Sequence, residues 1–168
     1  DLEKKTDIST PSTSQFVIVD NDGHAVSMTS TVEGPFGSHL MAGGFMLNNE
    51  LTDFSMLPEL NGRKIANRVQ PNKRPMSSMT PTIIFKDKNL FALTGSPGGT
   101  SIINYVTKSV LGLIDWGLDP SEVTELPHYM NRGNYTELEK NTVLENLATE
   151  LESLGHPIKI QNKRSGLH

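Results

Sequence analysis

Apolar and polar positions follow several distinct rhythms along this chain, and the rhythm changes at glycine, proline and asparagine. Gln15-Phe16-Val17-Ile18-Val19-Asp20 is apolar through its centre, turns at Asn21-Asp22-Gly23 and returns as His24-Ala25-Val26-Ser27-Met28-Thr29-Ser30-Thr31, the pattern of a β-hairpin. Its first strand is apolar almost throughout and is expected to be covered on both faces. Its second alternates, with Val26 and Met28 on one face and Ser27, Thr29 and Thr31 on the other. That hydroxyl row reads either as the wall of a polar site or as the solvent side of a strand. A second hairpin follows, from Thr80-Pro81-Thr82-Ile83-Ile84-Phe85 through Asp87-Lys88-Asn89 into Leu90-Phe91-Ala92-Leu93.

Beyond it the period becomes helical. Ile102, Ile103, Val106, Val110, Leu113 and Ile114 recur at helix spacing, and Gly117 marks the stop. Asp119 then caps a short helix with Pro120 at its first position, closed by Pro127. From Asn141, the positions Leu144, Leu147, Ala148, Leu151 and Leu154 with the stop Gly155 predict one amphipathic helix, and His156-Pro157-Ile158-Lys159-Ile160 the next strand. Between the hairpins, residues 33–44 are glycine-rich and irregular, Phe45-Met46-Leu47 is a short strand, and residues 55–72 form a long loop suited to a lid. Two hairpins followed by two amphipathic helices predict a layered α+β domain.

Composition narrows the classes. The 168 residues, 35% of them hydrophobic, are enough for one core of ordinary size. A formal charge of -4 with interspersed signs offers no basic stripe, so nucleic acid is not an expected partner. The absence of cysteine excludes disulfides, thiol catalysis and thiolate metal sites. The five histidines show no short metal-ligand spacing, and neither metal nor cofactor is expected. No apolar run is long enough to span a membrane, and residues 1–12 are polar and aperiodic, as in a leader or linker.

The candidate chemistry centres on Gly95-Ser96-Pro97-Gly98-Gly99-Thr100-Ser101, between an apolar strand and a helix. Adjacent glycines at a helix start bring backbone N–H groups close to a ligand oxygen, and the helix dipole favours negative charge there. The turn is therefore either an oxyanion hole or anion cradle, or a tight connection that needs glycine only for its dihedral angles. A phosphate-binding loop is disfavoured because no lysine follows the glycines.

Five blocks in order carry a family resemblance: the segment Thr13-Ser14-Gln15-Phe16-Val17-Ile18-Val19-Asp20, then Thr29-Ser30-Thr31 with Phe36-Gly37, then Leu47-Asn48-Asn49-Glu50-Leu51-Thr52-Asp53-Phe54, then Pro71-Asn72-Lys73-Arg74-Pro75-Met76-Ser77-Ser78-Met79-Thr80-Pro81-Thr82, and Gly95-Ser96-Pro97-Gly98-Gly99. Together they resemble the small subunit of γ-glutamyltranspeptidase, over roughly Thr13 to Ile160. The resemblance implies the four-layer αββα sandwich of N-terminal nucleophile hydrolases, with only the small-subunit part present here. It implies a precursor that cuts itself ahead of a threonine, so that residues 1–12 are a linker ending the large subunit and residues 13–168 the small-subunit domain, truncated at its C-terminus. Thr13 then supplies the hydroxyl nucleophile and, as a free α-amine with a pKa of about 8, the base. Thr31 orients it, Gly98 and Gly99 offer N–H groups to the oxyanion, and Asp53 with Glu50 and Glu33 meets the donor's α-ammonium. Ser77 and Ser78 bind its α-carboxylate. Ser14 and Gln15 depart from the usual Thr-His after the nucleophile, and the family's carboxylate-binding arginine belongs to the large subunit.

The activity so implied is γ-glutamyl transfer from glutathione or a related amide to water, an amino acid or a peptide. A poly-γ-glutamate depolymerase and a non-catalytic anion-binding module are the alternatives. The partner is the large subunit of the same precursor, the location extracellular, periplasmic or cell-surface, and the chain by itself is expected to be inactive.

Overall fold

A computed structural model describes residues 13–163 and 165–167 of the chain. Strands β1 (Ser14–Val19) and β2 (Ala25–Ser30) form the first hairpin. Short pairs follow, β3 (Met41–Ala42) with β4 (Phe45–Met46) and β5 (Glu59–Leu60) with β6 (Arg63–Lys64), on either side of a 3₁₀ turn at Glu50–Asp53. Strands β7 (Thr82–Lys86) and β8 (Asn89–Thr94) make the second hairpin, which enters α1 (Ile102–Ile114) through a 3₁₀ turn at Gly99–Ser101. Then come α2 (Pro120–Glu125), β9 (Tyr129–Asn131), β10 (Thr136–Glu139), a 3₁₀ turn at Val143–Leu147, α3 (Ala148–Ser153) and β11 (Ile158–Gln161). The class is α+β.

The chain divides into two compact units, one made of residues 13–14 with Ser30–Ser78, the other of Gln15–Thr29 with the chain from Met79 onward. The first unit is mostly irregular. Its Asn61-Gly62 pair, both with positive φ, closes β5 onto β6, so the long loop of the sequence contains a small hairpin. The second unit holds the core: Ile102, Tyr105 and Val106 of α1 are buried together with Val123 of α2 and Leu138 of β10. Asp119 caps α2 by accepting from the Glu122 N–H at 2.9 Å, while the Glu122 carboxylate takes the Asp119 N–H at 2.9 Å.

Three expectations need correction. Strand β1 is not covered on both faces: Phe16, Ile18 and Val19 are 39%, 56% and 52% exposed, and among the described residues β1 pairs with β2 alone. The single helix from Asn141 is a 3₁₀ turn running into a short α-helix, with Thr142 capping its start through the Leu144 N–H at 3.3 Å. Its stop at Gly155, φ 90°, stands. The sequence pattern also missed β9 and β10. Strand β10 runs parallel to β11 and antiparallel to β9, and α3 makes the crossover of a βαβ unit. Its Thr136-Glu137-Leu138-Glu139 does not read as a buried strand, yet Glu137 is buried because Arg132 Nε, at 3.1 Å, and Lys163 pair with it.

Candidate active site

In the first unit the two threonines of the resemblance meet. Thr13 Oγ1 donates to Thr31 Oγ1 at 3.2 Å, and the same Thr31 oxygen accepts the Glu33 backbone N–H at 2.9 Å. Glu33 reaches that position with φ 71°, uncommon for a residue with a Cβ. Its carboxylate accepts from Asn49 Nδ2, whose Oδ1 takes the Gly34 N–H at 2.9 Å. Asn49 therefore locks the strained backbone that aims an N–H at Thr31.

The 3₁₀ turn at Glu50–Asp53 sets these two acids three positions apart, which superposes them on one side of the turn. Burial, then the charges of Asp53 and Glu33 and a hydrogen bond with Asp53, pushes the Glu50 carboxyl above the ordinary carboxylate range. Its Oε1 is buried without a hydrogen-bond partner among the described residues. Three carboxylates, one with an unsatisfied oxygen, form a site whose electrostatics favour a cation. Asn67 joins this site to the serine pair: its Nδ2 donates to the Asp53 carbonyl at 2.7 Å and its Oδ1 accepts the Met76 N–H at 3.0 Å. Ser77 is exposed and Ser78 half-buried. Thr13, Thr31, Glu33, Glu50, Asp53, Ser77 and Ser78 thus belong to one unit.

Gly98 and Gly99 lie in the second unit, on the turn into α1. Gly98 has φ 140°, and a Cβ there would fall 2.8 Å from Tyr105 Cε2, so only glycine fits. No described side chain caps the N–H groups at this helix start, which leaves them available to an acceptor at the positive end of the helix. Arg132 braces the turn, donating to Thr100 Oγ1 at 2.6 Å and Ser101 Oγ at 3.0 Å. Ser96, an alternative hydroxyl on the same turn, is wholly buried and donates to the Pro97 carbonyl at 2.7 Å, so it is closed to substrate. Asn49 lies within a matched block and Asn67 just before one, but neither was singled out by its type, and Arg132 carried no sequence signal.

Two other clusters are built for structure. Asp20, Asp22 and His24 place ligand atoms within 4.8 Å of one another at the exposed β1–β2 turn, a proximity that histidine spacing alone did not suggest. Their atoms close the turn instead, since Asp20 Oδ1 accepts the N–H of Asp22 and of His24, at 3.0 and 2.8 Å. Ser165 Oγ lies 2.6 Å from His128 Nε2, outwardly a nucleophile and base. Lys108 Nζ, however, is 2.8 Å from His128 Nδ1 and donates there, so Nε2 carries the hydrogen and cannot take one from serine.

A profile of the Gamma-glutamyltranspeptidase family matches residues 2–168. The chain belongs to the γ-glutamyltranspeptidase family. It is 38% identical over 171 residues to the glutathione hydrolase proenzyme of Bacillus subtilis (strain 168), covering 98% of this chain and 28% of that protein. It is 44% identical over 124 residues to the glutathione hydrolase proenzyme of Escherichia coli (strain K12), covering 70% of this chain and 21% of that protein. A crystal structure of a mutant Helicobacter pylori γ-glutamyltranspeptidase superposes with a TM-score of 0.79 at 33% identity, over 91% of this chain and 87% of that one. The chain therefore spans about a quarter of the length of these curated relatives. No helix among the described residues is long and apolar enough to cross a membrane.

Proposed function

We propose that this chain is the small-subunit part of an enzyme that transfers a γ-glutamyl group from glutathione or a related amide to water or an amine. Residues 1–12 are read as the end of the preceding large subunit and residues 13–168 as the catalytic domain. The observation that carries the proposal is the Thr13–Thr31 hydroxyl pair at 3.2 Å, with the Glu33 N–H fixing the acceptor.

In the precursor the Thr13 nitrogen is an amide and no base. The Thr13 hydroxyl attacks the Ser12 carbonyl carbon, the peptide C–N bond breaks as the ester C–O bond forms, and the hydroxyl proton ends on the nitrogen. Water then hydrolyses the ester, releasing the Ser12 carboxylate and restoring the Thr13 hydroxyl beside the α-amine already freed. In turnover that amine takes the hydroxyl proton as the oxygen attacks the γ-carbonyl, and the Gly98 and Gly99 N–H groups stabilise the oxyanion. Collapse expels the leaving amine, which receives the proton, and a γ-glutamyl ester remains on Thr13 until water or an amine acceptor takes the acyl group. Asp53 and Glu50, with Glu33 beside them, hold the donor's α-ammonium; Ser77 and Ser78 hold its α-carboxylate. A large subunit completes the donor site, and the fragment without it is expected to be inactive.

The test is Thr13→Ala in the full-length protein, with conversion to two chains and release from a γ-glutamyl anilide both measured. Both are expected to vanish, since one hydroxyl serves both attacks. Retained turnover would move the nucleophile elsewhere.

A further inference from the structure

We propose that Gln15 is a positioning residue for this reaction, clamping the strand that follows the nucleophile to the peptide that opens the glycine turn. The proposal rests on the γ-glutamyl-transfer reading above. Gln15 is only 6% exposed, unusual burial for an amide side chain. Its Oε1 accepts from the Thr29 hydroxyl, and its Nε2 donates to Ser27 Oγ at 3.1 Å and to the Phe16 carbonyl at 3.1 Å. Ser27 Oγ in turn donates to the Thr94 carbonyl at 3.1 Å, the residue before Gly95. The direction of every bond is fixed. Ser27 spends its single proton on Thr94, so it can only accept from Gln15, and the amide both gives to Ser27 and receives from Thr29, which an aliphatic side chain or an ionised carboxylate cannot do.

Packing reinforces the chain of bonds. A Cβ on Gly95 would overlap the Gln15 amide, so this glycine exists to let the amide lie against the backbone of the turn. The hydroxyl row of β2, open between site wall and solvent face in the sequence, is the inward face: Ser27 and Thr29 are half-buried while Val26 and Met28 are exposed. Along the sequence, Thr13 lies two residues before Gln15 at one end of the clamp, and Gly98 lies four after Thr94 at the other. A side chain so placed touches no substrate. It holds the mounts of the groups that do, and small displacements of reacting groups cost rate out of proportion to their size.

The experiment uses the full-length protein, with kcat and KM for a γ-glutamyl anilide donor measured for wild type, Gln15→Leu, Gln15→Glu and Ser27→Ala. The expected result is a fall in kcat of roughly tenfold or more for Gln15→Leu with KM little changed, because the groups proposed to bind the donor are untouched. Ser27→Ala, a milder cut, should lower kcat in the same sense, and added to Gln15→Leu should cost little more. The kcat of Gln15→Glu relative to wild type should rise as pH falls, since only the protonated acid can donate to Ser27. A folded Gln15→Leu protein that fails to cleave itself also supports the proposal. Wild-type kcat in both Gln15→Leu and Ser27→Ala, or a loss confined to melting temperature, overturns it alone. A wild-type protein that turns over no donor removes the underlying reading with it.

Discussion

Glu50 is where the chemistry of the site conflicts most openly with the stability of the fold. Its half-buried carboxyl lies beside Asp53 and Glu33, and its folded pKa lies above the unfolded one. Between those two values the folded state binds more protons, so stability falls as pH rises through them. Glu50→Gln should therefore raise the melting temperature at neutral pH and change it little in acid, a difference that thermal melts at two pH values will read. The same carboxylate serves a donor ammonium only when ionised. Donor KM should rise as pH falls through the elevated Glu50 pKa, and Glu50→Gln should flatten that limb; an unchanged profile would place the ammonium elsewhere. Asp53 and the Thr13–Thr31 pair were legible in the sequence because each sits in a matched block. Asn67 was not, since its value comes from two bonds made across the unit, to the Asp53 carbonyl and the Met76 N–H.

At the scale of elements, the hairpins and α1 were readable because each bears its own period and its own turn residues. Strands β9 and β10 were not. Strand β9 is three residues long and mostly exposed, and the burial of β10 depends on partners far along the chain, Lys163 for Glu137 and the parallel neighbour β11. The junction of β8 and α1 was visible as glycines, and φ 140° with the Tyr105 ring explains why Gly98 carries no Cβ under either reading of the turn. Gly98→Ala should shift the turn and lower kcat by roughly 10²-fold, the usual cost of one oxyanion donor. A variant with normal kcat would return this turn to a mere connection. His128, between α2 and β9, makes a separate prediction. Burial and the neighbouring Lys108 and Lys163 charges push His128 down to about 4, from 6.5. The unfolded chain binds the proton first, so stability should drop as pH falls from 6.5 toward 4. His128→Gln should show a shallower drop in the same melts, and an identical slope would mean that His128 is not held neutral.

The whole molecule explains what is exposed here. Apolar side chains of β1, β2, β7 and β8, among them Ile18, Val26, Phe85 and Phe91, lie open in a chain about a quarter as long as its curated relatives. Strand β1 has the near-continuous apolar run of a strand buried on both faces, and the proposed large subunit is the natural cover. The central claim is that Thr13, freed at its nitrogen, carries the acyl group. It is tested most directly by mixing the full-length protein with a γ-glutamyl donor, quenching in acid and mapping the products by peptide mass spectrometry. A new chain beginning at Thr13 and bearing one γ-glutamyl group on that residue is the predicted result. Turnover by protein still continuous through Ser12–Thr13, or an adduct on any other side chain, would contradict it.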